Sequence, residues 1–204
     1  MILLLKQLEL QLSTRPGGRS ARVRDAVLEA VHVELVHRGY LGMTVENVAD
    51  RAGVHKTTVY RRWGTVDVLI ADALDRGRDA GWTAPDTGSA EGDLIALARE
   101  VVDTFTDPGR SRVPIALVAA ALQSGRARQA KRDYYTARHE AAGVIAERAV
   151  ERGELPPQAD PAELARQTCA PLFYRVFVSG EPLDHATADR AARAALAAAR
   201  AGLF

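Results

Sequence analysis

Between Gly53 and Gly64 the chain reads Gly-Val-His-Lys-Thr-Thr-Val-Tyr-Arg-Arg-Trp-Gly. His55, Lys56, Thr57, Thr58, Tyr60, Arg61 and Arg62 bring an imidazole, three hydroxyls and three cations into one short stretch, with Val54 and Val59 as small apolar anchors. Side chains of these kinds donate to phosphate oxygens and to base edges, and the arginines suit phosphate or, less often, guanine. That chemistry needs a short helix with one face packed and the other free.

The preceding residues supply the support. Thr44 can cap a helix with its hydroxyl. Met43 and Val48 sit at the positions of a hydrophobic staple, and Glu46 places a negative charge in the first turn, where the helix dipole favours it. Val45, Val48, Ala49 and Ala52 mark one apolar face at helical spacing. Gly53 then stands where a helix ends in a left-handed residue. Thr44 to Trp63 therefore reads as two short helices joined by a tight turn, a helix-turn-helix whose second helix faces nucleic acid. A solvated basic surface helix would explain the cations. It would not explain why cap, glycine turn and polar face fall in register.

Charge agrees with a DNA-facing surface confined to one end. The net charge is only +1, but residues 1–64 hold 10 Lys+Arg against 6 Asp+Glu, and residues 65–204 hold 17 against 20. A basic head on a mildly acidic body fits this reading. Apolar residues make up 47% and charged residues 26% of the chain. That balance excludes a disordered chain. Cys169 is the only cysteine, so no internal disulfide can form. A reducing cytoplasm is therefore expected. Thr168, Ala170 and Leu172 around it read as helix core, which favours a buried, inert thiol over a redox sensor.

No apolar run approaches the roughly 20 residues of a membrane span. The start, Met-Ile-Leu-Leu-Leu-Lys, lacks the basic opening of a signal peptide. Leu4, Leu5, Leu8 and Leu12 could line a short helix packing on the body or on a partner subunit, or could belong to a flexible leader.

Catalytic and metal signatures are missing from the sequence. His32, His37, His55, His139 and His185 have no second histidine at helical spacing, and no His-Glu-x-x-His or Cys-x-x-Cys occurs. There is no glycine-rich phosphate loop and no Gly-x-Ser-x-Gly elbow. No metal, no cofactor and no catalytic residue is expected. A small all-helical enzyme remains the reading from another class. It would need inward-facing titratable groups clustered in helices five to eight. An architectural DNA-binding protein without an effector is a third, though the chain beyond the head exceeds what DNA binding requires.

The rest reads as helices with turn punctuation and no strand signal, about nine in all. Helix one spans about Ser20 to Arg38 and is closed by Gly39; Thr65 can cap helix four. Residues 84–89 read as a loop joining helix four to the body. Asp160-Pro161-x-Glu163 opens helix eight with cap, proline and acid in order. Pro171 should kink that helix, and helix nine is alanine-rich, which allows close approach of a neighbour. The expected fold is all-α: an N-terminal three-helix helix-turn-helix head on a C-terminal helical bundle. The expected division is residues 1–19 as an extension or arm, 20–64 for DNA, and 65–204 for effector binding and dimerisation.

These residues carry a resemblance. Gly39-Tyr40, Thr44-x-x-x-Val48-Ala49, Ala52-Gly53-Val54, Thr58-Val59-Tyr60 and Trp63-Gly64-Thr65-x-Asp67-x-Leu69-Ile70 resemble the DNA-binding head of the TetR family of transcriptional repressors. Ala170 to Arg175 with Gly180-Glu181-Pro182-Leu183 is similar to the C-terminal domain of one large subgroup of that family. The resemblance implies a cytoplasmic regulator, most simply a repressor, that binds double-stranded DNA at a palindromic operator and is released by a small hydrophobic effector. His55, Lys56, Thr57, Thr58 and Tyr60 occupy the family's groove-facing positions. Thr44, Arg61 and Arg62 join them, and Arg15, Arg19 and Arg22 could form an arm on phosphate or minor groove. One position departs from the pattern. Where many members carry a phosphate-binding lysine, this chain has Val66, so that interaction is missing or falls to Thr65.

Helix-turn-helix proteins bind mostly as two-fold dimers, and the resemblance implies a four-helix bundle built from helices eight and nine. Leu172, Val176, Phe177, Ala191, Ala195 and Leu196 are the candidates, with intrachain core the alternative for each. Arg175, among apolar neighbours, needs a partner if buried, either across the interface or on an effector. The resemblance also implies an effector cavity between helices five and eight. Phe105, Leu117, Tyr134, Tyr135, His139, Phe173 and Tyr174 are the candidate lining, and aromatic core packing is the alternative for each.

Overall fold

The computed structural model describes residues 18–77 and 82–204. Leu4, Leu5, Leu8, Leu12 and Arg15 lie outside the described residues, as does the side chain of Arg19. Among those described, the chain forms nine α-helices and no strand. They are α1 (Arg19–Gly42), α2 (Val45–Ala52), α3 (Lys56–Trp63), α4 (Val66–Gly77), α5 (Ala90–Thr106), α6 (Arg112–Gln123), α7 (Gly125–Glu151), α8 (Pro161–Tyr174) and α9 (His185–Arg200). A π-helical turn, Arg175–Ser179, follows α8 directly. This is the expected all-α fold. No helix of the described residues is long and apolar enough to cross a membrane.

Short polar side chains start several of these helices. Thr44 accepts from the Asn47 N–H, Ser89 from Gly92, Asp160 from Ala162 and Glu163, and Asp184 from Thr187. Each satisfies backbone donors that have no intrahelical partner and contributes about 1 kcal/mol. Gly39 interrupts the helical backbone of α1 at φ 67°, ψ −179°, so the expected stop there is real although the helix resumes to Gly42. Gly53, at φ 64°, ψ 32°, closes α2. That is the left-handed region, which only glycine enters cheaply.

The helices form two compact units. The first contains α1 to α4, α6 and α7 as far as Tyr135. Val27, Val31 and Leu35 of α1, Val48 of α2, Val59 and Trp63 of α3, Leu69 and Ile70 of α4 and Leu117 of α6 share its core. The second contains α5, α7 from Thr136, α8, the π turn and α9. Leu94 and Leu97 of α5, Ile145 of α7, Leu164 and Leu172 of α8 and a run of α9 alanines share its core. α9 lies against α5 and α8. Full burial of a Leu, Val or Ile contributes about 1.5–3 kcal/mol, which makes these two clusters the main source of stability.

One local expectation changes. Residues 84–89 are an anchored part of the second unit rather than a joint: Ala84 is in its core, and buried Asp93 accepts from the Thr87 N–H and hydroxyl at 2.5 and 2.8 Å. Pro171 stays inside α8, and the backbone changes to π-helical winding only at Arg175.

Candidate nucleic-acid interface

α3 is the element to be positioned, and three polar links hold its unit in shape. Val59 and Trp63 are the buried residues of α3. The Trp63 indole N–H donates to Asp72 of α4 at 2.9 Å, and Arg24 of α1 donates to the same carboxylate at 2.7 and 3.2 Å. Burial opposes charge on Asp72, but the hydrogen bonds from Arg24 and Trp63 outweigh it and hold its carboxyl below the usual range. Glu34 of α1 is 2% exposed and pairs with Arg51 of α2 at 2.5 Å and with Arg38 at 2.7 Å. Here too burial is overcome, chiefly by the Arg51 hydrogen bond and charge, and the carboxyl stays below its ordinary value. The Tyr40 hydroxyl donates to Asp67 at 2.8 Å, tying the end of α1 to the first turn of α4.

With its inner face fixed, α3 presents Lys56, Thr57, Tyr60, Arg61 and Arg62 to solvent, with His55 just before it. Thr44, Thr65 and Arg22 are exposed as well, whereas Thr58 is half-buried. Several of these groups already have partners. His55 caps α3, its Nδ1 lying 2.8 Å from the Thr57 hydroxyl. Arg62 lies over the Trp63 ring at 5.0 Å and donates to Ser20 Oγ at 3.4 Å. The Tyr60 hydroxyl donates to Glu46 of α2 at 2.9 Å. Thr65 Oγ1 accepts from the Val68 N–H at 3.5 Å, which leaves its own O–H available as a donor beside Val66. Sequence reasoning missed Glu46, Asp72 and Glu34 as positioning residues. Glu46 is legible only as a first-turn charge and Glu34 only as an i,i+4 neighbour of Arg38; the partners that make them, and Asp72, positioning residues lie on other helices.

The candidate effector residues do not form one group within either unit. Leu117, 1% exposed, belongs to the first unit's core, and Tyr134 and Tyr135 pack against that core with their rings edge to face at 5.3 Å. In the second unit Phe105, Phe173 and Phe177 form an aromatic cluster, with centroids 5.4 to 6.3 Å apart. His139 is half-buried in α7; burial, then the charges of Arg166 and Arg138, lower its pKa. Tyr174 is 58% exposed, so it cannot line an enclosed space within its own unit.

The candidate interface residues differ in burial. Leu172, Ala191, Ala195 and Leu196 are buried in the second unit's own core and have almost no surface to offer a partner. Val176 and Phe177 retain some, and Tyr174 and Val178, read otherwise from sequence or not at all, are more exposed. Arg175 is satisfied within the chain, by Glu181 at 3.0 Å and the Pro182 carbonyl at 3.1 Å. Burial pushes the Cys169 thiol up to about 12. Its reactive thiolate is therefore not populated near neutrality. Among the described residues no cluster of His, Cys, Asp and Glu could hold a metal.

A clamped short helix with hydroxyls and cations on its free face, entered through a left-handed glycine turn, defines a helix-turn-helix regulator. Residues 27–73 match the family described as bacterial regulatory proteins of the tetR family, and residues 84–195 match the tetracyclin repressor-like C-terminal domain. The chain belongs to the TetR family of transcriptional regulators. It is 34% identical over 147 residues to the HTH-type transcriptional regulator AqdR of Rhodococcus erythropolis, covering 72% of this chain and 70% of that one. It is 25% identical to an uncharacterized HTH-type transcriptional regulator, YdeS, of Bacillus subtilis, over 84% of this chain and 87% of that one. A crystal structure of a TetR family transcription regulator superposes with a TM-score of 0.69 at 31% identity, covering 86% of this chain and 97% of that chain. Members of this family are DNA-binding transcription factors rather than enzymes, which answers the enzymatic alternative.

Proposed function

We propose that the protein is a homodimeric cytoplasmic repressor that binds a palindromic operator and is released by a small, mostly apolar effector. Residues 20–64 carry the DNA-binding surface, and residues 65–204 carry assembly and sensing. The observation that supports this most is the free face of α3: Lys56, Thr57, Tyr60 and Arg61 stand exposed on a helix whose other face is immobilised by Val59 and Trp63. Lys56 and Arg61 neutralise phosphates, Thr57 and Tyr60 reach base edges, and Arg22 adds a backbone interaction.

One short helix reads few base pairs, so two copies must act together. Tyr174, Phe177 and Val178 are 58%, 38% and 69% exposed. Such an apolar grouping favours burial against a second copy. The aromatic cluster of Phe105, Phe173 and Phe177 supports an apolar effector, whose binding changes the spacing of the two heads. A ligand shifts that equilibrium only by its differential affinity for the two states.

The test begins with selection from a random duplex pool and sedimentation of the protein. Recovery of a two-fold symmetric site by a dimer is the expected result; a clean monomer that recovers no site defeats the reading. A thermal-shift screen of apolar molecules follows. A true effector raises the melting temperature and releases DNA, and operator DNA weakens its binding by the same factor, typically about 5–150-fold.

A further inference from the structure

The Tyr60 phenol and the Glu46 carboxylate meet on the exposed side of the helix-turn-helix, 2.9 Å apart, although they lie on different helices. Both side chains are exposed, so this pairing is not forced by core packing. Glu46 is held as an anion: first its own backbone N–H and then the Tyr60 hydroxyl keep its carboxyl below the ordinary value, and the neighbouring Lys56 charge acts in the same direction. The Glu46 hydrogen bond correspondingly holds Tyr60 protonated, with its pKa raised.

The proton inventory follows. A phenol has one O–H, and an ionised carboxylate has none. With that O–H committed to Glu46, the outward-facing oxygens of the pair can only accept. A phosphate also only accepts, and it is anionic, so the pair disfavours the backbone interaction that a free tyrosine hydroxyl would make. In the major groove, guanine offers N7 and O6 acceptors and thymine offers O4 and a methyl group, whereas cytosine N4 and adenine N6 offer N–H donors.

We propose that Glu46 is a specificity-determining residue, which with Tyr60 forms an acceptor-only pair that reads the exocyclic amino group of a cytosine or adenine in the major groove. This rests on the DNA-binding reading above and deepens it. Glu46 acts partly through Tyr60, by fixing which way its proton points, and partly through the acceptor capacity of its own carboxylate.

Selection from a random duplex pool, run on wild type, Glu46→Gln, Tyr60→Phe, Glu46→Ala and the Glu46→Ala/Tyr60→Phe double variant, tests this. Wild type is expected to enrich cytosine or adenine at one position of the strand read. Glu46→Gln replaces an acceptor by a donor of the same shape, and Tyr60→Phe removes the shared proton. Glu46→Gln should lose discrimination at that same position, by roughly 5- to 150-fold, and Tyr60→Phe, which leaves the Glu46 carboxylate as an acceptor, should lose a smaller part of it, with no change at other positions. Glu46→Ala frees the Tyr60 hydroxyl for phosphate, so binding to random duplex rises, and adding Tyr60→Phe reverses part of that rise. Melting temperatures close to wild type are expected throughout, since both side chains are exposed. Unchanged preference in Glu46→Gln and Tyr60→Phe overturns the inference. So does a uniform loss on all sequences, the mark of a purely structural Glu46. A wild type that selects no duplex overturns the DNA-binding reading itself, and this inference with it.

Discussion

α3 and α8 each bury one face in their own unit, and they differ in what they leave outside. α3 buries Val59 and Trp63 and exposes Lys56, Thr57, Tyr60, Arg61 and Arg62. α8 buries Leu164, Ala165, Thr168, Cys169 and Leu172 and exposes Arg166 and Gln167 in its middle and then Ala170, Pro171 and Tyr174 at its C-terminal end, with Phe177 and Val178 in the turn that follows. The anchoring is alike, so the outer face carries the distinction between them. Cations and hydroxyls stay hydrated until a polyanion replaces their water and counterions. Exposed aromatic and aliphatic area has no such partner in water and is driven toward other apolar area. The two faces are therefore suited to different partners, a nucleic acid and a second protein surface.

Breaking the anchoring of α3 has the largest expected effect. Trp63 is 5% exposed and donates to Asp72, so Trp63→Ala opens a cavity and leaves that carboxylate to Arg24 alone. A loss of about 3–5 kcal/mol in urea unfolding of the first unit is expected, with DNA binding abolished alongside. Retained binding at wild-type stability would show that α3 does not depend on this clamp.

The α1–α2 link is expected to matter somewhat less. Arg51 and Arg38 are 40% and 53% exposed and can return to water when Glu34→Ala removes their partner. A cost of about 1.5–3 kcal/mol follows, below that of a pair buried at both ends. Its sign with pH is set by the lowered pKa of Glu34. The contribution is fully present above the unfolded value of 4.5 and is lost as pH falls through the lower folded value. Denaturation curves of wild type and variant should therefore converge in acid. A gap that widens in acid would contradict the pairing.

Val178→Asp and Phe177→Asp address the α8 side. Each places a charge on the exposed apolar face and weakens self-association. Val178, 69% exposed, leaves intrachain packing untouched, whereas Phe177 also packs on Phe105 and Phe173, so Phe177→Asp lowers monomer stability as well. Sedimentation across a concentration series reads this, and an unchanged assembly would move the interface elsewhere. The smallest effect is expected on the polar face itself. Lys56→Ala and Arg61→Ala should each lower the slope of log affinity against log salt by about 1 for the phosphate no longer neutralised, with sequence preference intact. A slope unchanged in both would remove the phosphate role of α3.

Much of this was legible in the chain because the signals are local. The Thr44 cap, the Gly53 turn and the Asp160-Pro161-x-Glu163 start each lie within a few residues of the backbone groups they satisfy, and all three are found as read. Periodicity placed Val48 and Val59 inward for the same reason: the helix repeat alone decides which residues share a face. The faces of the second unit are harder to assign from sequence. Leu172, Ala195 and Leu196 carry the same apolar signature whether they face their own core or a partner, and Tyr174 and Val178 look no different in sequence from the residues they adjoin.

The all-α fold, the helix-turn-helix and the polar character of α3 follow from the order of residues, since caps, glycine turns and apolar spacing act over one or two turns of chain. Packing between helices settled that Asp72 serves both Trp63 and Arg24, and that Glu34 reaches Arg51. It also settled that the Tyr60 proton belongs to Glu46, that Leu117 and Phe105 fall in different units, and that Phe177 rather than Leu172 keeps open surface. These are relations between residues on separate helices. Spacing along the chain does not encode them; they arise only when packing brings two helix faces to within a hydrogen bond or a van der Waals contact.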